Sequence, residues 1–203
     1  MRYGIISDIH GNVNALKNAL NLLRDVDQIV FLGDVPNHRN GKGFQETLEI
    51  LHRENVKAVR GNCDAYVLSQ YRSGEIDESL WNFYASWPIE DRKDNEILWV
   101  HGGPRDPLGE RIVDEERAWK NFHAQDFRIC FHGHQHTVTC FEYEQGDVRS
   151  ISLQEGVAFY LHDHCRYIVG VGSVGDPRDS SRGSLVLYNQ STSEIVVKRL
   201  PID

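Results

Sequence analysis

The chain has 203 residues, 40% of them apolar and 26% charged, and carries a formal net charge of −8. That length suits one well-packed domain over 1–203, and the balance of residue types is that of a soluble enzyme or binding module. The acidic charge argues against a broad nucleic-acid surface, which needs a Lys/Arg excess, and no apolar run approaches the length of a membrane span.

The N-terminus MRYGIISDIHGN lacks a signal-peptide pattern because Asp8 and His10 interrupt it early, so a cytoplasmic location is expected. A short apolar strand covers 2–7. Val13, Leu16, Leu20 and Leu23 then recur at helical spacing. A second buried strand covers 27–34, and Phe44, Leu48 and Leu51 mark a second helix. The spacing predicts a third strand over 56–62 and two shorter helices, the second carried by Ile76, Leu80, Phe83 and Trp87 and stopped by Pro88.

A fourth strand is expected over 96–103. Asp114 then fits a helix N-cap, with Glu115 and Glu116 in the first turn. A fifth strand covers 127–136. Beyond it come short strands at 138–143, 148–153, 166–174, 184–189 and 194–199, the last two joined by the polar turn NQSTS. No repeat, linker or low-complexity segment interrupts this order. The four cysteines (Cys63, Cys130, Cys140, Cys165) form no CxxC pair and no disulfide framework, and read as thiols.

The polar residues concentrate where strands end. Asp8 and His10 follow the first strand, Asp34 the second, Asn62 and Cys63 the third, His101 the fourth, and His134 and His136 the fifth. In a parallel α/β sheet, ligands bind outside the carboxyl ends of the strands. Any one of these residues alone would read as a turn, a cap or a structural histidine. A metal-ligating type after every strand has no explanation in turn chemistry, and the set reads as a metal site.

In order, the blocks SDIHGN, LGD, GNCD, HGG and GHQH resemble the five signature blocks of the calcineurin-like metallophosphoesterases. The likeness spans about residues 4 to 136, and VGSVGDPRD (171–179) is similar to a loop of the small bacterial and archaeal phosphodiesterase-like branch. The resemblance implies a four-layer αββα sandwich, two facing mixed β-sheets flanked by helices. It also implies two divalent ions: Asp8, His10 and His136 would hold one, Asn62, His101 and His134 the second, and Asp34 would bridge them. Asp34, Asn62 and His101 then count as catalytic too. Such a mixed N/O site suits Mn, Fe, Zn or Ni without selecting among them. The implied reaction is attack of a metal-bound hydroxide on a phosphate ester, a diester or nucleotide rather than a phosphoprotein.

The chain departs from the family pattern at two places. Cys63 stands where many relatives have a histidine thought to protonate the leaving group; it reads as a pocket-wall residue, neither nucleophile nor ligand. Arg39 is one residue out of register with the phosphate-gripping arginine of protein phosphatases, which speaks against that activity. His38 reads as an exposed loop residue, His132 as a satisfied structural histidine, and His162 and His164 as loop residues. Ser173 and Arg178 leave two readings open, phosphate contact or bracing of the loop. A small phosphate ester or nucleotide is the expected partner, and nothing in the sequence specifies an oligomeric state. The competing functions are a non-catalytic interaction scaffold of the same fold, which tends to lose the ligands present here, and a nuclease, which the acidic charge disfavours.

Overall fold

The computed structural model describes residues 1–37, 41–70, 76–94 and 96–203. Alternation along the strands explains the layering. In β1 (Arg2–Ile6) and β2 (Gln28–Phe31), Ile5 and Val30 face one core while Ile6 and Phe31 face another. In β5 (Ile97–Val100) and β6 (Ile129–His132), Ile97, Trp99, Ile129 and Phe131 join the first core, and Leu98, Val100 and Cys130 turn to a third. A strand apolar on both faces has to be covered on both.

The strands form two six-stranded mixed sheets. One has the order β3-β2-β1-β11-β12-β9 and the other β4-β5-β6-β10-β7-β8. The remaining members are β3 (Lys57–Ala58), β4 (Glu90–Lys93), β7 (Val138–Glu144), β8 (Asp147–Ser150), β9 (Phe159–Tyr160), β10 (Arg166–Val171), β11 (Gly183–Asn189) and β12 (Glu194–Leu200). The first core lies between the sheets. Helices α1 (Val13–Leu22), α2 (Phe44–Arg53) and α4 (Glu78–Ala85) supply residues to the core on the outer face of the first sheet, and α5 (Glu115–Phe122) does so for the second. Helix, sheet, sheet, helix is the expected αββα sandwich.

Helix starts follow local chemistry. Asn12 caps α1 by accepting from the Ala15 N–H at 3.0 Å, and Asp114 caps α5 by accepting from the Arg117 N–H at 2.8 Å. Several strands differ from expectation. The third strand, expected over 56–62, keeps only Lys57–Ala58, and Asn62 opens α3 (Asn62–Gln70) instead. The fifth strand ends at His132 rather than running to 136. Strand β4, of sequence EDRK, was not anticipated because an edge strand with half-buried charged residues shows no apolar alternation. Among the described residues no helix is long and apolar enough to cross a membrane.

Candidate metal centre

Parallel pairing of β1 with β2, β2 with β3 and β5 with β6 brings their carboxyl ends to one rim. There the backbone takes conformations that L-residues avoid. Asp8 (φ 54°), His10 (φ 48°), Asp34 (φ 66°), His134 (φ 63°) and His136 (φ 60°) all lie in the left-handed region. Each costs about 1–2 kcal/mol in that conformation. Backbone bonds between the loops hold them there: the Asp8 N–H donates to Gly33 O, the His10 N–H to Asp34 O and the Gly11 N–H to Val35 O.

Three histidines present the same nitrogen to the centre. Their Nδ1 atoms face backbone carbonyls: His10 to Pro36 O at 3.0 Å, His101 to Leu32 O at 2.7 Å, and His136 to Asp176 O at 2.6 Å. A carbonyl only accepts, so Nδ1 carries a proton in each ring and Nε2 is the nitrogen turned to the centre. Those nitrogens meet. His10 Nε2 lies 3.2 Å from His136 Nε2, which in turn lies 3.1 Å from Asp8 Oδ1. Asp8 is fully buried, and among the described residues its Oδ1 has no partner at hydrogen-bonding geometry. A buried group of acceptors facing acceptors requires a cation or extra protons to be stable.

The donor atoms of Asp8, His10 and His136 lie within 4.8 Å of one another, as do those of Asp8, Asp34 and His101. Asp34 also reaches the first group: its Oδ2 is 3.9 Å from His10 Nε2 and 3.5 Å from His101 Nε2. Asn62 Oδ1 is 3.0 Å from His101 Nε2. His134 stands apart, its ring 5.0 Å from that of His101 and its Nε2 accepting from Arg111 Nε at 3.4 Å. This N/O donor set, closed by an orphaned buried carboxylate oxygen, fits divalent cations.

The charges fit that reading. Burial by itself would raise the Asp8 carboxyl, but the close His10 and His136 rings and the charge of His101 bring it well below the usual carboxylate range. Burial lowers His101, yet the neighbouring Asp34 carboxylate raises it to about 9. His134 is pushed down to about 4 by burial and by His101, which keeps its imidazole neutral.

Asp64, for which no role was anticipated, holds this end of the centre. Its carboxylate accepts from the backbone N–H groups of Asp34 (2.7 Å), Val35 (3.0 Å) and Gly61 (2.8 Å) and from the Tyr84 hydroxyl (3.0 Å). Burial and the Asp34 charge push it up to about 6 against those donors. Its letter in GNCD was visible, but nothing local reveals that two of its donors, the Asp34 and Val35 N–H groups, come from another loop. Arg111 was also missed, because it lies in an irregular loop with no motif.

Cys63 is half-buried; its backbone N–H donates to Asp34 Oδ1 at 2.9 Å and its thiol to Asp34 Oδ2 at 3.0 Å. Burial and the Asp34 charge raise the thiol pKa, so it stays protonated. Of the two readings for Ser173, bracing fits: its buried hydroxyl donates to Asp8 O at 2.8 Å and accepts from the Asp176 N–H at 2.7 Å.

His132 is fully buried, but among the described residues neither ring nitrogen finds a partner at hydrogen-bonding geometry, so it is not the satisfied histidine expected. Burial lowers it to about 4, so it stays neutral. His162 and His164 lie in the loop before β10, where His164 Nε2 is 3.1 Å from Glu144 Oε1. His38 and Arg39 lie outside the described residues.

Residues 1–193 match the model of the calcineurin-like phosphoesterase superfamily domain. The chain belongs to this superfamily. It is similar to a metallophosphoesterase of Sphaerobacter thermophilus, with a TM-score of 0.83 and 27% identity over 98% of this chain and 88% of that one. An uncharacterized protein of Methanocaldococcus jannaschii is likewise 27% identical, over 98% of this chain and 87% of its own length. A hypothetical protein of Pyrococcus horikoshii shares the fold, with a TM-score of 0.70 at 17% identity over 100% of this chain and 88% of that one. Superfamily membership and the clustered Asp and His donors together support metal-dependent hydrolysis of phosphate esters.

Proposed function

We propose that this superfamily member is a dinuclear metal-dependent hydrolase of a small phosphodiester or nucleotide. The observation that carries the reading is the placement of Asp34, whose Oδ2 lies 3.9 Å from His10 Nε2 on one side and 3.5 Å from His101 Nε2 on the other. One carboxylate would thus serve two donor groups. Asp8, His10 and His136 would hold one ion, and Asn62, His101 and His134 the other. Divalent cations bound there supply Lewis acidity toward the phosphoryl oxygens and lower the pKa of bound water.

The chain contributes order. Backbone carbonyls fix the ring orientation of His10, His101 and His136, and Asp64 fixes the Asp34 peptide. The Cys63 thiol is occupied as a donor to Asp34, so it holds a ligand rather than protonating a leaving group. Arg111, exposed beside His134, adds a cation at the rim.

The test is elemental analysis after incubation with Mn²⁺, Zn²⁺, Ni²⁺ or Mg²⁺, followed by hydrolysis of bis(p-nitrophenyl) phosphate and p-nitrophenyl phosphate. About two ions per chain and a higher kcat/KM for the diester are expected. No bound transition metal would remove the catalytic reading, and a strong monoester preference would overturn the diester assignment.

A further inference from the structure

Beside His10 the surface opens into a groove of about 900 Å³, whose lining includes Asn14, Asn37, Lys42, Glu46, Asp176 and Arg178. Its two carboxylates already have partners: Glu46 pairs with Lys17 at 2.8 Å, and Asp176 Oδ2 lies 3.1 Å from His136 Nδ1. Arg178 differs. Its backbone N–H donates to the His136 carbonyl at 3.0 Å, which roots it beside the metal centre. The next residue is held as firmly: Asp179 forms a two-pronged ion pair with Arg199 at 2.9 and 2.8 Å and accepts from the Val138 N–H at 2.8 Å. Yet the exposed Arg178 guanidinium meets no acceptor among the described residues. Among the described residues the arginine is anchored at its backbone and unpartnered at its head.

We propose that Arg178, in the groove that Lys42 also lines, binds a second anionic group of the substrate. The preferred substrate then carries a further phosphate beside the scissile one, as dinucleoside polyphosphates do. A guanidinium fork matches phosphate oxygens in pairs, and an arginine with an ordered backbone loses less freedom on binding. The uncharged amides of Asn14 and Asn37 leave the rest of the groove polar, which suits a sugar or base rather than an apolar leaving group. This assignment rests on the phosphoesterase reading above and names the substrate class for it.

Two measurements test it. Calorimetric titration of the metal-free protein with inorganic tripolyphosphate reads the groove without turnover. Saturable binding is expected, weakened about tenfold by Arg178→Ala and partly kept by Arg178→Lys, a loss of about 1.4 kcal/mol. With Mn²⁺-loaded protein, the ratio of kcat/KM for diadenosine tetraphosphate to that for bis(p-nitrophenyl) phosphate should fall about tenfold in Arg178→Ala. Absent binding, equal binding by Arg178→Ala, or an unchanged ratio would overturn the assignment. Loaded protein that hydrolyses neither substrate would sink the phosphoesterase reading, while the calorimetry would still decide whether the groove holds polyphosphate.

Discussion

Cys63 shows how one side chain is given its role by its neighbours. Its thiol donates to Asp34 Oδ2 at 3.0 Å, and burial with the Asp34 charge raises its pKa. The reactive thiolate is therefore suppressed. Metal-free protein should show little alkylation of Cys63 by iodoacetamide between pH 7 and 9, measured by mass spectrometry; rapid labelling at pH 7 would contradict the protonated, donating thiol. Cys63→Ser keeps a donor of nearly the same size, so metal content should hold and kcat/KM should change by less than about tenfold. A thousandfold loss with metals intact would assign the thiol a chemical role. Asp34→Asn, which removes the charge shared by both donor groups, should abolish turnover and lower metal content, read by elemental analysis.

At the scale of elements, the centre is built where loops after β1, β2 and β6 touch the start of α3. Glycine permits one such contact: a Cβ on Gly61 would lie 2.1 Å from Asp34 Oδ1 and 2.6 Å from its backbone N. Gly61 itself is not in the left-handed region, so alanine there strains the contact rather than the local conformation. Gly61→Ala should leave the far-UV circular dichroism native and cost about 10²-fold in kcat, the scale expected for a 1 Å misplacement of a catalytic group. Asp64→Asn tests the same junction from the other side. Its amide would turn a donor toward groups that themselves donate, and a loss of about 2–4 kcal/mol is expected in denaturant unfolding. A variant as stable as the parent would show that Asp64 does not hold the junction.

For the whole molecule, the buried acceptors imply that stability depends on cations and on pH. Ligands that bind only the folded state stabilise by about 2.7 kcal/mol at a hundredfold excess over Kd, roughly 5–10 °C in Tm at this size. Chelation should lower Tm by that amount and Mn²⁺ should restore it. In chelator, His101 is raised from 6.5 to about 9, so its contribution is full below pH 6.5 and disappears as pH rises through 9. Asp8 is lowered from 3.8, so its contribution is full above that value and disappears as pH falls through its folded-state pKa. Thermal melts in chelator should therefore decline on the alkaline side across pH 6.5–9. A flat profile there would show that His101 is not held by Asp34.

Much of this was legible locally. Alternation and helical spacing announced β1, β2, α1, α2, β5 and β6, because side-chain period follows backbone geometry. The strand-end Asp, His and Asn residues stood out since no turn requires such types after each strand. Edge strand β4 left no apolar trace, and the short β3 yielded its last residues to α3. Only the tertiary structure decided that His10 meets His136, 126 positions away, that the Asp64 carboxylate receives the Asp34 and Val35 N–H groups, and that Arg178 is rooted on His136. The His10–His136 contact comes from packing one sheet against the other, and the Asp64 contacts from pairing β2 with β3 in one sheet. A local pattern records which face a residue prefers, while the partner it meets there depends on how the layers are stacked.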